Sequence, residues 1–295
     1  MADAFINTLE VFPRGLVFVG MGVIILALAK IAQDIVTPYH INDQLSQKDN
    51  VALALSISGY YFGIIIVFLG ALYQPSGLLI EGGLGFTSDY WRGVLEVFLY
   101  SLGGIVVLNV ARIIVDKLVL YKFSTVKEII EDHNACTGAV EFGVYIAVGL
   151  VVAGSISGEG GGLETSFAFL GLGLVTLILY TLFYEMTTSM NIHEEIERDN
   201  VAVGVALGGN LIAIGIVTFK AVFGDFVGWN EALAGFVVFA LIGFVLLTVV
   251  RVLVDLVLFP RVKVAQELAV DRNLGVAFIE GTVVISVSLI LFFAV

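Results

Sequence analysis

The stretch QKDNVALALSISG, residues 47–59, occurs in four versions along the chain, and its repetition decides the fold. Asp49-Asn50 opens an apolar run at Val51, Asp132-His133-Asn134 one at Ala135, Asp199-Asn200 one at Val201, and Asp271-Arg272-Asn273 one at Leu274. Counted from each Asn, position +2 is Ala52, Cys136, Ala202 or Gly275, and position +4 is Ala54, Gly138, Gly204 or Ala277. Position +9 is Gly59, Gly143, Gly209 or Thr282, and six residues before the Asn stands Gln44, Glu128, Glu194 or Glu267. Copies one and three read DN. Copies two and four read DxN and add a carboxylate at +7, Glu141 and Glu280. The chain is therefore a tandem duplication of a two-copy unit, with repeats expected at 1–158 and 159–295.

Around these motifs lie eight apolar runs, roughly 15–36, 51–73, 91–115, 135–157, 166–184, 201–222, 232–254 and 274–295. Each approximates the 20 or so residues that cross a bilayer. With 59% apolar residues and a mean hydropathy of +1.04, the composition is that of a membrane protein. The short connections leave no room for a soluble catalytic domain. The first ten residues carry no basic residue, so a cleaved leader is not expected. Cys136 is the only cysteine, which excludes an internal disulfide.

Basic residues are unevenly placed. Eleven of the fourteen lie in or beside the connections between spans 1–2, 3–4, 5–6 and 7–8; Arg14, Arg92 and Lys220 are the exceptions. The positive-inside bias puts those four connections in the cytoplasm of an inner or plasma membrane protein and both termini outside. The net charge of −12 argues against nucleic acid and against a polybasic grip on anionic lipid. The expected architecture is thus an all-α membrane protein of eight transmembrane helices. They form four helical hairpins, grouped as two parallel four-helix repeats because each repeat has an even number of spans. A pseudo-twofold or pseudo-fourfold rosette, with Glu141 and Glu280 related across its axis, is the natural arrangement.

Asn is a preferred helix N-cap, and a neighbouring Asp complements the positive end of the helix dipole. Asp49-Asn50, Asp132, Asp199-Asn200 and Asp271 thus read as start signals for spans 2, 4, 6 and 8. The small residues at +2, +4 and +9 let membrane helices approach closely. The odd-numbered spans end in i,i+4 charge pairs, Lys30/Asp34, Arg112/Asp116 and Arg251/Asp255, while the third unit has Thr181 and Glu185 there. Polar stretches such as STVKEIIEDHN and NIHEEIERDN predict short interfacial helices before each Asn.

Position +7 shares a helix face with the Asn, so Asn134 with Glu141 and Asn273 with Glu280 form the candidate proton or cation site. Seven residues place each carboxylate about 10 Å along the helix from its cap, where an ionisable side chain is costly. The bland alternative is a Glu that stays neutral, or one hydrogen-bonded to a neighbouring helix such as the one bearing Ser101 or Asn109. No metal-ligand spacing occurs around His40, His133 or His193, and no nucleophile elbow, Walker or dinucleotide pattern is found. GEGGG at 158–162 lacks a preceding strand and a following Lys-Ser/Thr, so it reads as a linker. No enzyme and no cofactor are expected. The partners left open are the lipid bilayer, a second copy of the chain and a cytoplasmic protein.

KDNVALALSISG followed by EDHNACTGAVEFG resembles the four-helix domain of unknown function 350, an uncharacterised transmembrane family of bacteria and some archaea. ERDNVAVGVALGG and DRNLGVAFIEG would be a second copy, departing at Gly275, Thr282 and Thr181. The resemblance implies a multi-pass inner-membrane protein and supplies no residue roles. The functional expectation is small-cation or proton passage or sensing through the bundle. The alternative is a non-conducting scaffold or stress-response component that docks partners on its acidic cytoplasmic helices.

Overall fold

A computed structural model describes residues 2–73, 86–119, 124–158 and 160–295, and among them every regular element is a helix. Eight helices are long and apolar enough to cross a membrane. They are α1 (Ala2–Val36), α3 (Val51–Leu72), α4 (Ser88–Val119), α6 (Ala135–Ile156), α7 (Leu163–Thr187), α9 (Val201–Val222), α10 (Trp229–Leu253) and α12 (Leu274–Ala294). Four helices of six residues precede the Asn motifs: α2 (Ile41–Ser46), α5 (Thr125–Ile130), α8 (Ile192–Glu197) and α11 (Val264–Ala269).

The helices that follow the Asn motifs form a central row, buried most deeply at α6 and α9. In α6 and α9, 78% and 83% of the apolar window is buried, against 28% in α1 and 22% in α10, which identifies α6 and α9 as central and α1 and α10 as peripheral. The interior helices pack in the order α3, α6, α9, α12. Around them α1 rests on α3 and α4, α4 on α3 and α6, α7 on α6 and α9, and α10 on α9 and α12.

Glycine sets the row. A methyl on Gly59 would fall within the Phe142 backbone, one on Gly143 within the Gly208 backbone, and one on Gly209 within that of Gly281. Those are the same junction three times, position +9 of one helix against +8 of the next. Position +4 meets +2 in the same way, Gly138 on the Ala52 carbonyl and Gly204 on that of Cys136. Backbone-to-backbone packing of this kind maximises dispersion contact where lipid offers no hydrophobic drive.

The expected rosette is not what these faces build. Each junction uses the forward face of one helix and the rear face of the next, a translation that leaves an open row with α3 and α12 at its ends. The unused rear face of α3 exposes Ser58 and Leu69, and the unused forward face of α12 exposes Gly275, Thr282 and Phe293. The α6–α9 junction between the sequence repeats resembles the junctions within them. One apolar core, containing Tyr60, Tyr145, Tyr180 and Leu247, therefore runs through both halves.

Candidate functional site

The four Asn motifs share one backbone shape. The residue before each Asn is left-handed: Asp49, His133, Asp199 and Arg272 have φ of 48°, 53°, 51° and 50°. Asp and His tolerate this conformation better than most side chains; Arg272 has no such excuse. Asn50, Asn134 and Asn273 then cap their helices, accepting from the N–H of Leu53 at 2.9 Å, Thr137 at 2.8 Å, and Gly275 and Val276 at 3.0 and 3.3 Å. Asn200 makes no such bond, and its buried Oδ1 has no hydrogen-bond partner.

The amide of each Asn does more than a cap requires. It donates back to the short helix before it: to Gln44 at 3.4 Å, and to Glu128, Glu195 and Glu267 at 2.8 Å. It also donates across to the short helix of the next unit, Asn50 to the Ile129 carbonyl at 2.8 Å, Asn134 to Ile196 at 2.6 Å and Asn200 to Leu268 at 2.9 Å. Asn273 is exposed, and among the described residues no further short helix accepts from it. Each Asn is thus a latch between consecutive units. Two details differ from the sequence expectation. The third latch uses Glu195 rather than Glu194, which pairs with Arg198 at 2.8 Å. Asp199 caps the neighbouring helix, its Oδ1 accepting from Cys136 N–H at 2.9 Å, while Asp132 pairs with Lys127 at 3.1 Å.

The two carboxylates at +7 are buried, Glu141 at 0% and Glu280 at 2% exposure. They lie on α6 and α12, which α9 separates, so they occupy two separate sites rather than one shared axis. Neither joins the Asn of its own motif, whose amide is committed to the latch. Glu141 accepts from the Ser56 hydroxyl of α3. Ser101 and Asn109, the expected neighbours, turn elsewhere: Ser101 donates to the Val97 carbonyl, and Asn109 donates to Tyr60 Oη at 3.0 Å. Gln33 donates to Tyr145 Oη at 3.4 Å beside them, so α1, α3, α4 and α6 contribute to one intramembrane polar cluster.

The second half has a different set at the same level. Arg251 Nε lies 3.5 Å from Glu280 Oε1, and its two terminal nitrogens donate to Thr188 at 3.0 Å and Thr187 at 3.4 Å. Its guanidinium sits 4.1 Å from the centre of the Tyr184 ring. Nearby Asn210 donates to the Ala206 carbonyl and also faces the Glu280 carboxyl, while its Oδ1 accepts from the Tyr180 hydroxyl. Glu280 Oε2 is left without a hydrogen-bond partner. Glu280 and Arg251 line a cavity of ≈250 Å³ together with Thr187, Thr188 and Asp255.

This corrects one of the helix-end pairs. Lys30 and Asp34 do pair, at 2.9 Å. Arg251 turns to Glu280 instead of Asp255, because a π-helical turn at Val254–Leu258 breaks the i,i+4 register, and Asp255 accepts from Val264 N–H at 2.9 Å. The side chains of Arg112 and Asp116 lie outside the described residues. Sequence reasoning missed Ser56, Gln33, Tyr60, Tyr145, Asn210 and Tyr184; the available signal was polar side chains within apolar runs. Among the described residues no group of three His, Cys, Asp or Glu side chains is placed to hold a metal.

Comparison with known proteins bears on the repeat. The family described as Domain of Unknown Function (DUF350) matches twice, over residues 7–156 and 160–295. A UPF0719 transmembrane protein of Aquifex aeolicus (strain VF5) is 24% identical over 243 residues, 81% of this chain and 84% of that protein. The UPF0719 transmembrane protein YshE of Bacillus subtilis (strain 168) is 28% identical over 123 residues, 42% of this chain but 87% of the relative. No solved structure matches. The second relative is thus about the length of one unit. With both halves matched, the chain belongs to the DUF350 family of transmembrane proteins, carrying its domain twice in succession.

Proposed function

We propose that the protein is a non-enzymatic, proton-handling membrane protein, in which each half exchanges a proton at its own buried carboxyl, Glu141 or Glu280. The observation carrying this reading is a carboxylate at one intramembrane position in both halves, with Glu280 lining a cavity and its buried Oε2 lacking a hydrogen-bond partner. Among the described residues no group of three His, Cys, Asp or Glu side chains is placed to hold a metal cation there, whereas a proton needs only one carboxyl oxygen. Contact between backbones along the interior row disfavours a lumen between consecutive interior helices, so exchange at two separate clusters fits better than an axial pore. The distribution of basic residues supports both termini outside, four hairpins in two parallel repeats, and the short helices and latches in the cytoplasm.

The test is acidification of proteoliposomes under an imposed pH gradient. Wild type should pass protons above protein-free vesicles, and Glu141→Gln with Glu280→Gln should bring the rate to that background. An unchanged rate in the double variant sinks the proposal.

A cytoplasmic scaffold is the second reading. It draws on a groove of ≈610 Å³ between the second and third latches, lined by Lys127, Asp132, Glu197 and Arg198. Its test must neutralise the exposed Glu194 and Glu197 alone, because Glu128 and Glu195 are buried in the latches. Loss of pulled-down partners in that variant would favour it.

A further inference from the structure

We infer that the cavity in front of Glu280 is the headgroup site of one inner-leaflet phospholipid bearing a primary amine, whose acyl chain lies in the groove between α7 and α10. That groove is apolar, has a volume of ≈690 Å³, and is lined by Leu179 and Phe183 of α7 and Phe236, Ala240 and Phe244 of α10. It meets the polar cavity at Thr248, which lines both. From Phe236 to Thr248 is twelve residues, about 18 Å of helix, and one leaflet of hydrocarbon is about 15 Å deep. An apolar trough of leaflet length ending in a small polar chamber is the shape of a lipid site, in the size range of about 300–1,000 Å³ that holds small molecules.

The chamber selects the headgroup. Its charged residues are Arg251, Glu280 and Asp255, one positive against two negative. The Arg251 nitrogens already face Glu280, Thr187 and Thr188, so Arg251 has little left to offer a phosphate. The unfilled valence is an acceptor, Glu280 Oε2, on a side chain only 3% exposed. A primary ammonium supplies both the missing charge and an N–H donor. A quaternary choline has the charge without the donor, and a glycerol headgroup has hydroxyl donors without the charge. Exposed Lys263 precedes the cavity-lining Val264 in the chain and is the basic residue we assign to the lipid phosphate.

This inference does not depend on proton exchange, and native mass spectrometry of the delipidated full chain in detergent separates the two. The probes are phosphatidylethanolamine, phosphatidylcholine and phosphatidylglycerol with identical acyl chains. Wild type should retain one phosphatidylethanolamine with a preference of about tenfold, the ratio one charge-assisted hydrogen bond supplies. Glu280→Gln should abolish the preference. Ala240→Phe, which fills the groove and leaves Glu280 in place, should lower retention of all three lipids. Equal retention of the three by wild type overturns the inference, as does unaltered binding in Ala240→Phe. The second variant keeps the question decidable if Glu280→Gln fails to fold.

Discussion

At the scale of single residues, the most consequential side chain is an Asn that appears, in sequence, to be only a cap. Cap loss alone costs about 1 kcal/mol. Asn134 also holds buried Glu128 and the Ile196 carbonyl, so Asn134→Ala leaves buried polar groups unpaired, adding roughly 1–3 kcal/mol. Asn273 is exposed, and among the described residues its amide reaches only its own short helix, at Glu267. Thermal denaturation in detergent should therefore show a clearly larger drop for Asn134→Ala than for Asn273→Ala; equal drops would mean that the cross-unit bond contributes nothing. Arg251 and Glu280 form a second residue-scale couple. Arg251→Gln should destabilise by about 3–5 kcal/mol through the charge left behind, and adding Glu280→Gln should restore part of that. A double-mutant cycle with no coupling would show that the 3.5 Å approach carries no energy.

At the scale of elements, the glycines divide into those that touch a neighbouring backbone and those that do not. Gly143 sits on the Gly208 backbone, whereas a side chain on Gly171 of α7 would meet nothing within 4 Å. Gly143→Leu should abolish the folded monomer on size exclusion, and Gly171→Leu should behave as wild type. Comparable behaviour of the two would remove the close-packed junction from the description. The spans and their Asn starts were legible because hydropathy and capping chemistry are local. The Arg251–Glu280 contact was not, because it depends on a π-helical turn that periodicity cannot show. The latch carboxylate was misplaced by one residue in the third unit for a related reason: Asn200 N–H closes on the Glu195 carbonyl, whereas Asn50 closes on Gln44, one residue further back.

At the scale of the molecule, a repeat says that units are related without saying by what operation. Rotation about a membrane axis and translation along a row satisfy the same four-copy pattern. The departures in the sequence discriminate them: Thr282 in place of Gly falls on the forward face of α12, and Ser58 and Leu69 fall on the rear face of α3, faces with no neighbour in a row. A closed rosette would bury both faces. Separately expressed segments 1–158 and 159–295 should therefore reassociate through the α6–α9 junction, and Gly208→Leu in the second segment should prevent their co-purification. Co-purification that survives Gly208→Leu would place the contact elsewhere. The polar groups follow the same logic, with one buried carboxyl in each half. Their chemistry is best read by infrared difference spectroscopy of the protein in lipid as the pH is lowered. A carboxylic C=O band should grow in wild type, weaken in Glu280→Gln and persist in Asp255→Asn. A wild-type spectrum without such a band, or one unchanged by Glu280→Gln, would contradict proton exchange at the buried carboxyl.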